Sequence, residues 1–111
     1  MQVSALEKYI RMSPRKMRLV CDLVKGKQVD AALQVLKMTT KAAAKPMAKA
    51  IQSAAANAEN TFGMSRSDLY IANAIANEGP TLKRFKAGAR GRGKPIEHKT
   101  THLTVSVEER S

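Results

Sequence analysis

The chain is poor in several things, and each shortage closes off a class of protein. It has one cysteine, Cys21, so no internal disulfide can form and a reducing compartment suits it. It has no tryptophan and only four other aromatics, Tyr9, Phe62, Tyr70 and Phe85, too few for the stacking platforms on which some RNA-binding sheets lay unpaired bases. Its nine acidic residues form no cluster legible in sequence, and His98 and His102, four residues apart on one strand, would stand about 13 Å from each other. That is too far for one metal ion, and no third ligand is near, so neither a metal site nor any cofactor is expected. No acid–base pair or activated nucleophile emerges, and the chain does not read as an enzyme. The glycines of GARGRG at 88–93 fail as a phosphate loop, because no helix follows and no Gly-Lys-Ser/Thr is present. The N-terminus MQVSALEKY lacks an apolar h-region and no run reaches membrane-span length, so a soluble, intracellular protein is expected.

Positive charge is what the sequence has in excess. Twenty Lys/Arg against nine Asp/Glu give a net charge of +11, which calls for a polyanion partner, nucleic acid before an acidic membrane. The charge is uneven: residues 1–27 and 79–111 each carry +5, while residues 28–78 carry only +1. With 111 residues the chain suits one domain, and 17 alanines among its apolar residues describe a small core of closely packed helices.

The patterning predicts an α+β fold in which a three-stranded antiparallel sheet packs against three helices on one face. Residues 2–12 are β-tolerant. Ser13-Pro14 opens a helix over Pro14–Lys25, with Met17, Val20, Cys21 and Val24 on one face and Gly26 ending it. Asp30 is positioned to cap a short second helix that buries Val29, Leu33 and Leu36. Thr40 is positioned to cap a long third helix, whose apolar stripe runs through Ala43, Met47, Ala50, Ile51, Ala54, Ala58 and Phe62 to Gly63. Pro46 requires that helix to begin near Lys45 or to kink in its first turn. Lys41, Lys45 and Lys49, spaced by four, repel one another and favour an external anion. A strand over Asp68–Ala76 should put Leu69, Ile71 and Ile75 on one face, with Tyr70, Ala72, Ala74 and Ala76 on the other. Leu103, Val105 and Val107 alternate with Thr104, Ser106 and Glu108 in a last strand with one wet face.

Between those strands lies GPTLKRFKAGARGRGKPIEHK, residues 79–99. It has seven cations, Lys83, Arg84, Lys86, Arg90, Arg92, Lys94 and Lys99, against the single acid Glu97. Two runs meeting at a Gly-rich turn make a hairpin. An arm with so little apolar material should be weakly ordered in water, and a dense array of phosphates would order it. Arg90 and Arg92 alternate with glycine, which places forked guanidinium groups on an open backbone. Ile96 is out of phase with Leu103, Val105 and Val107, so a bulge or strong twist is expected between arm and body. His102, between threonines at the base of the arm, reads as a hydrogen-bonding or phosphate-facing residue.

SPRKMRLVCDLVKGKQVDAAL (13–33), SAAANAEN (53–60) and EGPTLKRFKAGARGRGKPIEHKTTHLTV (78–105) resemble the bacterial-type large-subunit ribosomal protein L-twenty-two family over nearly the whole chain. The most specific matches are Gly79-Pro80 followed by Lys83-Arg84, the Arg90-Gly91-Arg92 tip, and Lys99-Thr100-Thr101-His102. The resemblance implies an early-assembling structural protein that binds large-subunit ribosomal RNA, beside neighbouring ribosomal proteins, and is a monomer when free. It implies a globular part near the polypeptide exit and a hairpin whose tip, Ala87, Gly88, Ala89, Arg90 and Gly91, lines the tunnel taken by the nascent polypeptide. RNA-binding roles are implied for Arg15, Lys16 and Arg18 at the start of the first helix. The same role is implied for Lys83, Arg84, Arg90, Arg92 and Lys99 on the arm, and the charge and position of Lys86, Lys94 and His102 extend it to them. Where family tips often carry Pro-Arg-Ala, this chain has Ala87-Gly88-Ala89, so an arginine position is occupied by Gly88 and flanked by Lys86 and Arg90. Without the resemblance, the rival reading is a histone-like DNA-bending protein with a basic β-arm. Such arms carry an apolar wedge at the apex, and this chain's only nearby proline, Pro95, is on the return strand.

Overall fold

The computed structural model describes residues 2–80, 82–87 and 93–110. The expected apex residues Gly88, Ala89, Arg90, Gly91 and Arg92 lie outside the described residues.

The first helix, α1, spans Pro14–Val24, with the Ser13 hydroxyl accepting from the Lys16 N–H and Pro14 at the first position. Met17, Val20, Cys21 and Val24 are buried, as the periodicity predicts. Burial pushes the Cys21 thiol up to about 11, which keeps it protonated and unreactive at neutral pH. Gly26, at φ 78°, turns the chain out of the helix, and its N–H bonds the Ile71 carbonyl while the Ile71 N–H bonds that of Lys27. The helix exit is thereby stitched to a strand far away in sequence.

Helix α2 spans Val29–Met38 and is capped by a different residue from the one expected. The Gln28 side-chain oxygen accepts from the N–H groups of Asp30 and Ala31, so Asp30 lies inside the first turn. There its carboxylate complements the helix N-terminus and accepts from Arg66 Nε at 2.9 Å, a bond that holds the carboxyl below its usual range. Val29, Ala32 and Leu36 are buried, and Leu33 is half-buried.

Helix α3 spans Ala44–Phe62. Thr40 does not cap it: the N-cap position is Ala43, which contributes no side-chain bond, and Lys41 precedes the helix rather than sharing a stripe with Lys45 and Lys49. Pro46 therefore falls in the first turn, where amides have no partner in the preceding turn, and its missing N–H costs nothing. The alanine-rich face (Ala44, Met47, Ala50, Ile51, Ala54, Ala55, Ala58) is buried, because small side chains let the helix lie close to the sheet. Phe62, expected on that stripe, is instead 49% exposed at the last helical position, where the chain turns away through Gly63 at φ 65°.

Strands β1 (Gln2–Ile10), β2 (Leu69–Glu78) and β5 (Thr101–Glu109) form an antiparallel sheet in the order β1–β5–β2, with the helices on one face. Asp68 closes a 3-10 turn rather than starting the strand. The central strand is the most regular: Thr101, Leu103, Val105 and Val107 point into the core. In β2 the register slips between Ile71 and Asn73. This bulge reverses the facing of everything after it, since side chains alternate with period two. Leu69 and Ile71 are buried before the slip, and Ala74 and Ala76 after it. Ile75, expected inside, is instead 42% exposed, and Ala74 and Ala76 take the core positions. Alanine in place of isoleucine there suits α1, the helix that packs on β2. A second slip between Glu7 and Ile10, with Tyr9 at φ 57°, lets the end of β1 rejoin β5 at Thr101.

Strands β3 (Leu82–Ala87) and β4 (Gly93–His98) pair with each other in a separate two-stranded sheet. The break between arm and body thus falls between the Glu78–Thr101 and Leu82–His98 pairs, where the phase of Ile96 predicts a change of twist. Among the described residues no helix is long and apolar enough to cross a membrane.

Candidate nucleic-acid interface

The arm leaves the body after Glu78, which pairs with Thr101, and its own ladder begins where Leu82 pairs with His98. Between these two ladders a short polar junction carries the connection. The Gly79 N–H donates to the Thr100 carbonyl at 3.0 Å, and the Thr100 hydroxyl donates to the Pro80 carbonyl. The Thr101 hydroxyl donates to the Met12 carbonyl at 2.6 Å, drawing the 11–13 segment against the root of the arm. Thr100 and Thr101 are 1% and 0% exposed, and burying hydroxyls that deeply is tolerated because each has its partner. His102 Nδ1 accepts from the Tyr9 N–H at 3.2 Å, and the two rings meet edge to face with centroids 5.0 Å apart. That accounts for the odd conformation of Tyr9.

Glycine is required at position 79 by close approach. A Cβ there would stand 2.5 Å from the Thr100 hydroxyl and 3.2 Å from the His102 ring. The Gly79-Pro80 and Thr100-Thr101-His102 motifs, far apart in sequence, are therefore two halves of one joint.

The register of the arm places Lys83 opposite Glu97, Arg84 opposite Ile96, Lys86 opposite Lys94, and Ala87 opposite Gly93. Like charges directly across a strand pair destabilise it, so Lys86 and Lys94 weaken the hairpin by themselves and favour it in the presence of an anion. Lys99 is exposed at the joint, and Arg15 and Lys16 are exposed on the first turn of α1. Arg18 differs from these: its Nε donates to the Ala76 carbonyl at 3.1 Å, tying α1 to β2 just below the joint. Ala87 ends β3, and Arg90 and Arg92, with Gly88, Ala89 and Gly91, lie outside the described residues. Among the described residues the ion pairs are Lys25–Asp22, Arg66–Asp30, Arg66–Glu59 and Arg110–Glu108. None of them engages Arg15, Lys16 or Lys99, whose charge is directed at solvent. The organising part of Thr100 and Thr101 in the joint is a finding of the structure. Two adjacent β-branched hydroxyl residues at a strand end are the only signal of it in the sequence.

Residues 5–108 match the family model described as Ribosomal protein L22p/L17e. The chain is similar to the large ribosomal subunit protein uL22 of Clostridium novyi (strain NT), 53% identical over 111 residues and covering 100% of both chains. It is also similar to the proteins of that name from Clostridioides difficile (strain 630), 50% identical, and Thermoanaerobacter sp. (strain X514), 48% identical, each over 110 residues and 99% of both chains.

The close fit at the joint gives a direct test. Gly79→Ala should destabilise the protein by about 1–3 kcal/mol, the usual cost of forcing a methyl into filled space. Thermal unfolding followed by circular dichroism should show a drop of several degrees, at roughly 4–8 °C per kcal/mol for a domain this small. A melting temperature equal to that of the parent would mean that Thr100 and His102 do not confine position 79.

Proposed function

The chain belongs to the ribosomal protein L22p/L17e family, and on that premise we propose that its basic arm and arm root bind and organise large-subunit ribosomal RNA during assembly. The protein is a structural constituent of the large ribosomal subunit and not an enzyme, and it works on the cytoplasmic ribosome. Membership in this family sets aside the DNA-bending alternative.

The observation that carries the RNA-binding reading is the paired arm itself, with Lys86 set against Lys94 and a single acid, Glu97, along its length. Such a ribbon has little to gain from its own contacts and much from phosphates. Lys83, Arg84, Lys86, Lys94 and Lys99 supply cations along the shaft and at the joint. Arg90 and Arg92 supply them at the apex, and Arg15 and Lys16 at the start of α1. Arg18 contributes from its tie to β2, and His102 holds the joint in shape. The target is a folded RNA backbone read by charge and shape, because the chain lacks the aromatics to stack bases. In this reading the body and shaft anchor the protein near the polypeptide exit, among neighbouring subunit proteins. The apex, Ala87 to Gly91, shapes the space through which a nascent polypeptide passes.

Two experiments test the two halves of this reading. Changing Lys83, Arg84, Arg90 and Arg92 to glutamine should flatten the dependence of log K on log salt for ribosomal RNA. Each phosphate that is no longer neutralised lowers the slope by roughly 0.7–0.9, about three in all. The melting temperature should stay near that of the parent, and an unchanged slope would remove the arm as the electrostatic contact.

For the apex, residues 88–92 are replaced by Asn-Gly, a two-residue turn whose twist suits a hairpin. Subunit occupancy measured by mass spectrometry should remain near normal, while stalling on arrest peptides or sensitivity to tunnel-binding drugs should change. A fall in occupancy would make the apex an anchor, and unchanged stalling and drug response would show that it does not govern the tunnel.

A further inference from the structure

The three-stranded sheet has two faces, and the helices cover only one of them. On the other, residues of β1, β5 and β2 stand in cross-strand rows set by the register. The central row is Leu6, Thr104 and Ile75, with both aliphatic ends exposed. Beside it run Ser4, Ser106 and Asn73, and the two hydroxyls bond each other at 2.9 Å. Towards the joint, the Tyr9 and His102 rings meet edge to face. At the far end Arg110 lies over the Tyr70 ring and pairs with Glu108 at 2.9 Å. The face is apolar at its centre, hydrogen-bonding around it, and ordered by its own contacts.

Charge sets this sheet apart from the rest of the molecule. Of the twenty Lys/Arg in the chain its three strands hold one, Lys8, which falls in the bulge after Glu7. They hold four of the nine acids, Glu7, Glu78, Glu108 and Glu109. Such a surface offers a phosphate backbone almost no cation to bind. The slip between Ile71 and Asn73 keeps Ile75 on this face, while alanines fill the core positions on either side of it. An apolar centre with aromatics nearby and little lysine is the composition of a protein contact.

Size decides which kind of protein. At about 3.3 Å per residue and about 4.8 Å between strands, the rows cover roughly 25 Å by 14 Å. Contact over all of it buries on the order of 700 Å² summed over both partners, short of the ~1,000 Å² that a stable complex needs. Two free copies of the chain would not stay together by this face alone, and their acids would oppose one another. A partner fixed to the same RNA needs less area, because the shared scaffold raises its effective concentration. Such a neighbour carries excess cations for the same reason this chain does, and they would complement the acids of the strands.

We propose that the open face of the β1–β5–β2 sheet docks a neighbouring large-subunit protein, one that presents an apolar centre within a lysine- and arginine-rich margin. The proposal rests on the RNA-binding reading above, since shared RNA holds the two proteins within reach. Its central residues, Leu6, Thr104 and Ile75, belong to neither the arm nor the joint.

The test uses large subunits assembled with the full chain. The photo-crosslinking residue p-benzoylphenylalanine replaces Leu6, the purified subunits are irradiated, and the products are identified by mass spectrometry. The expected product is a peptide of one large-subunit protein, apolar and rich in lysine and arginine. Ile75→Glu in the same chain should lower its yield about tenfold, because a carboxylate in the central row would be buried against apolar side chains. Ile75→Thr, which keeps the β-branching that suits a strand, guards against misfolding and should lower the yield several-fold. Crosslinks to RNA, crosslinks to an acidic peptide, no crosslink, or a yield that neither substitution moves would each overturn the proposal. So would a dimer of the free chain, seen by sedimentation and abolished by Ile75→Thr, which would give the face to a second copy. Binding to deproteinised large-subunit RNA separates this proposal from the reading it rests on. Leu6→Glu with Ile75→Glu should keep the parent's salt slope, and a changed slope would give the face to RNA and overturn the docking. If the arm variant already described keeps the parent slope while the protein crosslink persists, the arm reading fails and the docking surface stands.

Discussion

Everything distinctive about this molecule depends on how β5 crosses from a buried strand to a charged arm within two residues. Leu103, Val105 and Val107 sit at the centre of the core, and Lys99 is already in solvent. Thr100 and Thr101 bridge the two environments with side chains small enough to bury and polar enough to hold two separated segments. Thr101 reaches the Met12 carbonyl, Thr100 the Pro80 carbonyl, and the Thr100 carbonyl takes the Gly79 N–H. Each unmade bond would leave a buried polar group without water, so the joint forms as a unit or not at all. That gives an arm with little cohesion of its own a fixed point of departure.

The body is shaped to the same end. Alanine on α3 and at Ala74 and Ala76 of β2 brings helix and sheet close, so a small domain encloses a continuous core. The bulge in β2 serves this packing by turning Ile75 out and the two alanines in. What remains on the surface sorts by charge. Arg66 gathers Asp30 and Glu59, Arg110 pairs with Glu108, and the cations at the start of α1 and of the 37–45 region are left facing outward. A polyanion that bound this protein would meet positive charge from the arm through the joint to the start of α1.

Much of this is legible in the sequence. Ser13-Pro14, the 3.6-residue periodicity of α1 and α3, the strict alternation of β5 and the charge density of 79–99 each have one simple structural solution, and the fold follows from them. Departures come where tertiary structure overrides a local signal. Asp30 has the marks of a cap, but Gln28 takes that place because Arg66, thirty-six residues away, claims the carboxylate. Thr40 has them too, but the chain delays the helix to Ala44, which removes the difficulty posed by Pro46. Ile75 and Phe62 have the pattern of core residues, but a bulge reverses one and a helix end releases the other. The arm's cations can be named from sequence. The clefts beside the Lys41–Ala43 turn cannot, because they are assembled from Arg11, Lys16 and the 37–45 stretch only when α1, α2 and α3 pack.

The joint belongs to the cooperative core rather than to the arm. Native-state hydrogen exchange on the free protein measures this directly, residue by residue. The Gly79 amide, bonded to the Thr100 carbonyl, should exchange through the same global opening as the core amides of β5 between Leu103 and Val107, within about tenfold in protection. Protection at Gly79 lower by several orders of magnitude, with β5 still at the global limit, would show that the joint opens by itself and that the body does not fix the arm.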